Sequence, residues 1–157
     1  MQQTSHSQSK NIVLIGYGNR LRNDDGVGQV VANTVAAWKL PNVQAIATHQ
    51  LTPELAEILA TADFAIFCDA DTNTSQVQVH FLEVASSRML TSHCCEPQTL
   101  LAIAQILYGF SPCSCLVKIP AINFNLGDRL STVAQHGMAQ ALTEIESLML
   151  QQGVIYA

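Results

Sequence analysis

Apolar runs of strand length alternate along this chain with segments of helical period, and that alternation leaves few folds open. NIVLIG (11–16) is a short apolar run ended by glycine and reads as a buried strand; VQAIAT (43–48), DFAIFCDA (63–70), the most apolar of the set, and CLVKIPAI (115–122) read as further strands. VQVHFLEV (77–84) differs. It places Val77, Val79 and Phe81 on one face with polar residues between, the pattern of a strand near a sheet edge. Pro120 limits the pairing of the last run. Between these runs, GVGQVVANTVAAWKL (26–40) carries Val27, Val30, Val31, Thr34, Val35 and Trp38 at helical spacing, with Asp24 and Asp25 before it and Pro41 after it. TPELAEILAT (52–61) reads as a short helix capped by Thr52, with Pro53 at its first position. EPQTLLAIAQILYG (96–109) is a helix ending at glycine, and residues 130–152 form a long final helix capped by Ser131. The order predicts an α/β three-layer sandwich: a mainly parallel twisted sheet of about five strands flanked by helices. Residues 1–10 read as a flexible polar tail and 11–157 as a single domain.

Composition excludes several classes of function. Hydrophobic residues make up 48% of the 157 and charged residues 12%, which rules out a disordered chain. The net charge is −5 with seven basic residues, too few for a surface that binds nucleic acid. No apolar run approaches the ~20 residues needed to span a bilayer, and the polar start lacks a signal segment. No membrane association is expected, and the expected location is cytoplasmic. The five cysteines form neither a disulfide framework nor the paired C-x-x-C of a zinc site, and read as reduced, partly buried thiols.

GYGNRLRNDDGVG (16–28) is the segment richest in chemistry. It resembles the start of a nucleotide-binding loop, with Gly16 and Gly18 at the first two glycines of G-x-G-x-x-G, but the third position is Leu21. Asp24 and Asp25 stand where a phosphate would meet carboxylates. A cation site is the alternative. In a parallel sheet, ligands gather beyond the carboxyl ends of the strands. Asp25 follows the first strand, Asp69 ends the third, and His93 in TSHCCEP precedes a helix. Two carboxylates and one imidazole suit a borderline divalent ion such as nickel, zinc or cobalt, with open positions left over. Taken singly, each residue also has a plain structural role: helix dipole, turn cap, exposed loop.

These segments resemble the NiFe-hydrogenase maturation endopeptidases, which remove a short C-terminal extension from the hydrogenase large subunit. The resemblance spans about residues 11 to 150 through GYGNRLRNDDGVG, the acid in FCDAD, the histidine in TSHCCEPQTLLAIA, and KIPAINFNLGDRLSTV. HQLTPELAEILA is similar to the branch acting on bidirectional hydrogenases. The resemblance implies that Asp25, Asp69 and His93 are the catalytic, nickel-contacting positions, with aspartate at 25 where many members carry the longer glutamate. It implies that the nickel is supplied by the precursor rather than permanently bound, and that the partner is the NiFe-hydrogenase large-subunit precursor. His49 and Gln50 replace part of an acidic glycine-rich segment of other branches. With Gly16, Gly18 and Asn19 they are the candidate substrate-recognition residues.

Competing chemistry is weaker. Ser92 adjoins His93 only in sequence, and Cys94 is a modest candidate for covalent catalysis. His80 and His136 are expected to face solvent. Asp128 and Arg129 are candidates for contact with a substrate tail, the alternative being a local turn with helix capping. A nickel-binding chaperone without hydrolytic activity, or a small nucleotide-dependent enzyme, are the other functions to separate.

Overall fold

The structure is a computed structural model describing residues 10–85 and 96–154. Five strands form one sheet: β1 (Ile12–Tyr17), β2 (Val43–Thr48), β3 (Phe64–Asp71), β4 (Gln78–Leu82) and β5 (Cys113–Pro120), in the order β2-β1-β3-β5-β4. All pairs are parallel except β4 with β5. The antiparallel strand, marked by its alternating sequence, stands at one edge of the sheet and β2 at the other. The helices are α1 (Val27–Ala37), α2 (Leu55–Leu59), α3 (Pro97–Tyr108) and α4 (Thr132–Gln151). This is the three-layer α/β arrangement expected from the order of elements.

Successive strand residues face opposite layers, so a run with both faces covered must be apolar throughout. Ile12 and Leu14 on β1, and Phe64, Ile66 and Cys68 on β3, pack with α1 and α4. Val13 and Ile15, with Ala65 and Phe67, pack with α2 and α3. Cys68 and Cys115 are free, buried thiols of the first layer, and burial raises the pKa of both, Cys115 to about 12. They are inert core residues; Cys113 is free and exposed.

Several boundaries differ from the sequence reading: β5 spans Cys113–Pro120 where 115–122 was expected, and β4 is shorter than 77–84. α1 stops at Ala37 because Lys39 takes a left-handed φ of 51°, before Pro41 is reached. Thr52 does not cap α2. Its carbonyl accepts from the Leu55 amide in a turn, and the helix begins only at Leu55. Ser131 is the expected cap of α4, its hydroxyl accepting from the Ala134 amide at 3.1 Å.

Candidate functional site

Because β1, β2, β3 and β5 are parallel, their carboxyl ends deliver four loops to one edge. The β1 loop is the most ordered. Its amides are consumed within the protein: Gly18 donates to the Thr48 carbonyl, Arg22 to Asn19, Asn23 to Gly127, Asp24 to Asn123 and Asp25 to Arg22. The Asn19 amide donates to Asp25 Oδ2 at 2.9 Å and the Leu21 amide to Asn19 Oδ1 at 2.9 Å. A phosphate cradle needs such amides free, so the nucleotide reading falls. The loop instead holds a carboxylate in place.

Two glycine contacts make this geometry possible. A Cβ on Gly16 would lie 1.9 Å from the Gly28 carbonyl oxygen, so α1 approaches β1 backbone to backbone. Gly18 has φ +140°, and a Cβ there would lie 1.9 Å from the carbonyl oxygen of Asp25. The tight turn expected of Gly18 therefore presses directly on the residue it positions.

The adjacent acids have opposite fates. Asp24 lies in a 3-10 turn, Asn23–Gly26, and is wholly buried. Its Oδ2 accepts from the amides of Ile122 and Asn123 and from the Ser131 hydroxyl, and its Oδ1 accepts from the Ser131 amide at 2.7 Å. Burial alone would raise its pKa, but these hydrogen bonds prevail and hold it below the usual carboxylate value. Asp25 is half-buried and turns toward Asn19 and the strand ends.

Asp69 is near enough to Asp25 for repulsion between the two carboxylates. β1 and β3 are paired with Gly16 opposite Cys68, so Tyr17 and Asp69 follow at the same level of the sheet. The Tyr17 phenol and the Asp69 carboxyl interact there. Burial is the largest influence on Asp69; with the Asp25 charge it outweighs the Ala70 amide and Tyr17, which oppose the shift, and the pKa is raised to about 6. Burial, then the Asp69 charge, push the Tyr17 phenol well above its ordinary value. Tyr17 is thus a site residue that sequence reasoning passed over. Asp71 at the end of β3 is engaged elsewhere, 3.6 Å from Lys118 Nζ.

His49 and Gln50 are exposed just after β2, whose last residue, Thr48, pairs with Tyr17. They therefore share the edge with Asp25 and Asp69. His93, with Ser92, Cys94 and Cys95, lies outside the described residues. The helix that follows it in sequence, α3, is preceded by Glu96, whose charge reaches Tyr17. Among the described residues no three histidine, cysteine, aspartate or glutamate side chains form a metal-binding group. His80 and His136 are exposed, His80 paired with Gln78 at 2.9 Å. Among the described residues no helix is long and apolar enough to cross a membrane.

No protein-family model and no curated protein matches the sequence. Solved structures do match the fold. The NiFe hydrogenase maturation protease HycI from Thermococcus kodakarensis is 18% identical, the match covering 92% of this chain and 95% of that one with a TM-score of 0.68. The hydrogenase maturating endopeptidase HybD from E. coli is 19% identical, with 92% and 94% covered and a TM-score of 0.70. The hydrogenase 2 maturation peptidase from a Thaumarchaeota archaeon is 24% identical, with 90% and 99% covered and a TM-score of 0.67. At these identities the likeness is one of fold, and it extends over nearly the whole of each chain.

Proposed function

We propose that this chain is an endopeptidase that removes the C-terminal extension of a nickel-loaded NiFe-hydrogenase large-subunit precursor. The observation that carries the reading is the placement of Asp25 and Asp69 on neighbouring strand ends at the carboxyl edge of the sheet, in a fold shared with maturation peptidases. Two carboxylates at one edge, Asp25 oriented by the Asn19 amide and Asp69 beside Tyr17, leave oxygen atoms to meet a cation borne by the substrate. His93 would add a nitrogen donor. Nickel is then part of what is recognised, and docking onto it sets the scissile bond at the edge. Hydrolysis adds the hydroxyl of water to the carbonyl carbon and a proton to the leaving nitrogen.

The test is incubation of the protein with precursor in nickel-loaded and nickel-free forms, with the mass of both products measured. The loaded form is expected to be cut and the free form to be cut more slowly by about a hundredfold or more. Equal cleavage of both removes nickel from the mechanism. Binding of loaded precursor without any cleavage points to a carrier in place of a peptidase.

His49 and Gln50 give the same edge its preference among large subunits, and the bidirectional-hydrogenase type is the partner proposed from HQLTPELAEILA. Their side chains are exposed, whereas Leu51 beside them is buried and fixes the segment. Exchanging His49 and Gln50 for Asp and Gly is expected to change the ratio of kcat/KM between two large subunits by about tenfold or more. Proportional loss on both subunits would remove the segment from partner choice.

A further inference from the structure

Beside the acidic edge lies a surface of different character. A cavity of about 350 Å³ is lined by Arg20, Leu21, Gly26, Val30, Asp128 and Leu130, among others. It adjoins the Asp25 turn through Gly26. Leu21 on its lining is 70% exposed, and on the loop hydrogen-bonded to Leu21 through Gly127, Leu126 is 82% and Ile122 67% exposed. Exposed aliphatic residues on two loops tied together at one end of the molecule can form an interaction surface.

This surface is held in shape. The Gly127 amide donates to the Leu21 carbonyl and the Asn23 amide to the Gly127 carbonyl, both at 2.8 Å. Asn23 Nδ2 donates to the Asn125 carbonyl, and its Oδ1 accepts from the Arg129 amide. Asp24 fixes the remainder from below through Ile122, Asn123 and Ser131. The two loops thus form one platform whose exposed side chains are presented by a satisfied backbone, the condition under which ordering costs little on binding.

Its charge is equally distinct. The chain has a net charge of −5 and seven basic residues, yet Arg20, Arg22 and Arg129 are all exposed here, opposed locally by Asp128. Among the described residues no ion pair engages these three arginines. The acidic edge next door suits a cation, whereas this platform suits aliphatic side chains accompanied by carboxylates.

Resting on the proposed peptidase activity, we infer that this platform binds the extension itself: a segment with aliphatic side chains seated between Leu21 and Leu130 and carboxylates facing Arg20, Arg22 and Arg129. A folded large subunit cannot enter a cavity of this size, but a few residues of an extended tail can. The extension ends in an α-carboxylate, which supplies at least one negative charge. The platform therefore holds the part of the substrate that leaves, and the acidic edge holds the part that stays.

The experiment compares binding of the full nickel-loaded precursor with binding of the same subunit truncated at the cleavage point. It uses the wild-type chain, the Leu21→Asp/Leu126→Asp variant and the Arg22→Glu variant, each checked for folding by thermal unfolding. Truncation is expected to weaken wild-type binding by about tenfold and to change binding of either variant by about twofold or less. Arg22→Glu alters an exposed side chain and keeps the test decisive if the double variant does not fold. Equal losses on truncation in the wild type and a folded variant would overturn the platform, even where the wild type cleaves normally. Loss of extension dependence in the variants, with no cleavage by the wild type, would uphold the platform and overturn the peptidase reading. No wild-type binding to either substrate would overturn both.

Discussion

Replacing Asp24 with alanine is expected to destabilise the protein by about 3–5 kcal/mol, since hydrogen bonds to a buried charged group contribute ~1.5–3 kcal/mol each and do not add fully. The reason is the number of donors that converge on it. Amides of Ile122, Asn123 and Ser131, and the Ser131 hydroxyl, all end at this one carboxylate, which has no exposure to water. Removing it leaves these donors without their acceptor and frees the loop from β5 to the cap of α4. Asparagine is expected to be nearly as harmful. Its amide nitrogen would face donors at either oxygen position, so one side of the site becomes repulsive. Urea denaturation of the two variants checks this, and a loss below about 1 kcal/mol in both would contradict the assigned role.

The pH dependence follows with a definite sign. Hydrogen bonding depresses the folded-state pKa of Asp24 below its ordinary 3.8. Its contribution is therefore complete above the unfolded value and is lost as pH falls through the folded value. The wild type should lose stability in that acid window and the alanine variant should not lose this component.

Asp24 also shows where sequence reading stops. It and Asp25 are indistinguishable in the string NDDG, and both read as acids before a helix. A single 3-10 turn sends one inward and one toward the strand ends, and the partners of Asp24 lie 98 to 107 residues away in the chain. No local pattern contains that information. The central strands were legible for the opposite reason: strands buried on both faces must be continuously apolar. β4, which alternates, stands at one edge, whereas β2 at the other edge carries no such mark. Tyr17 is intermediate. Period-two alternation places it on the face of Ile15, and Asp69 on the face of Phe67, but their meeting depends on the register of β1 with β3. The glycines were legible as a turn, whereas the contact of Gly16 with Gly28 required the packing of α1 to be known.

Asp69→Asn is expected to make the protein more stable at neutral pH while abolishing cleavage of the precursor. Burial, reinforced by the Asp25 charge, raises the folded-state pKa of Asp69 from 3.8 to about 6. The unfolded chain ionises first, so between these values the folded state binds more protons, and stability falls as pH rises. The favourable side lies below about 4, and the full penalty is present above about 6, where holding the charge in this place costs on the order of 3 kcal/mol. Asparagine keeps the shape and still offers Tyr17 an oxygen, but carries no charge to be desolvated. Its advantage over wild type should grow across that pH interval and then level off, as read from the urea midpoint of each protein at several pH values. A core aspartate of merely structural use would behave as Asp24 does, losing stability when its charge is removed. Equal stability of the two proteins at pH 8 would show that Asp69 bears no such penalty. Under the proposed function, a charge kept in place at a cost to folding is what the site requires if its cation arrives with the substrate.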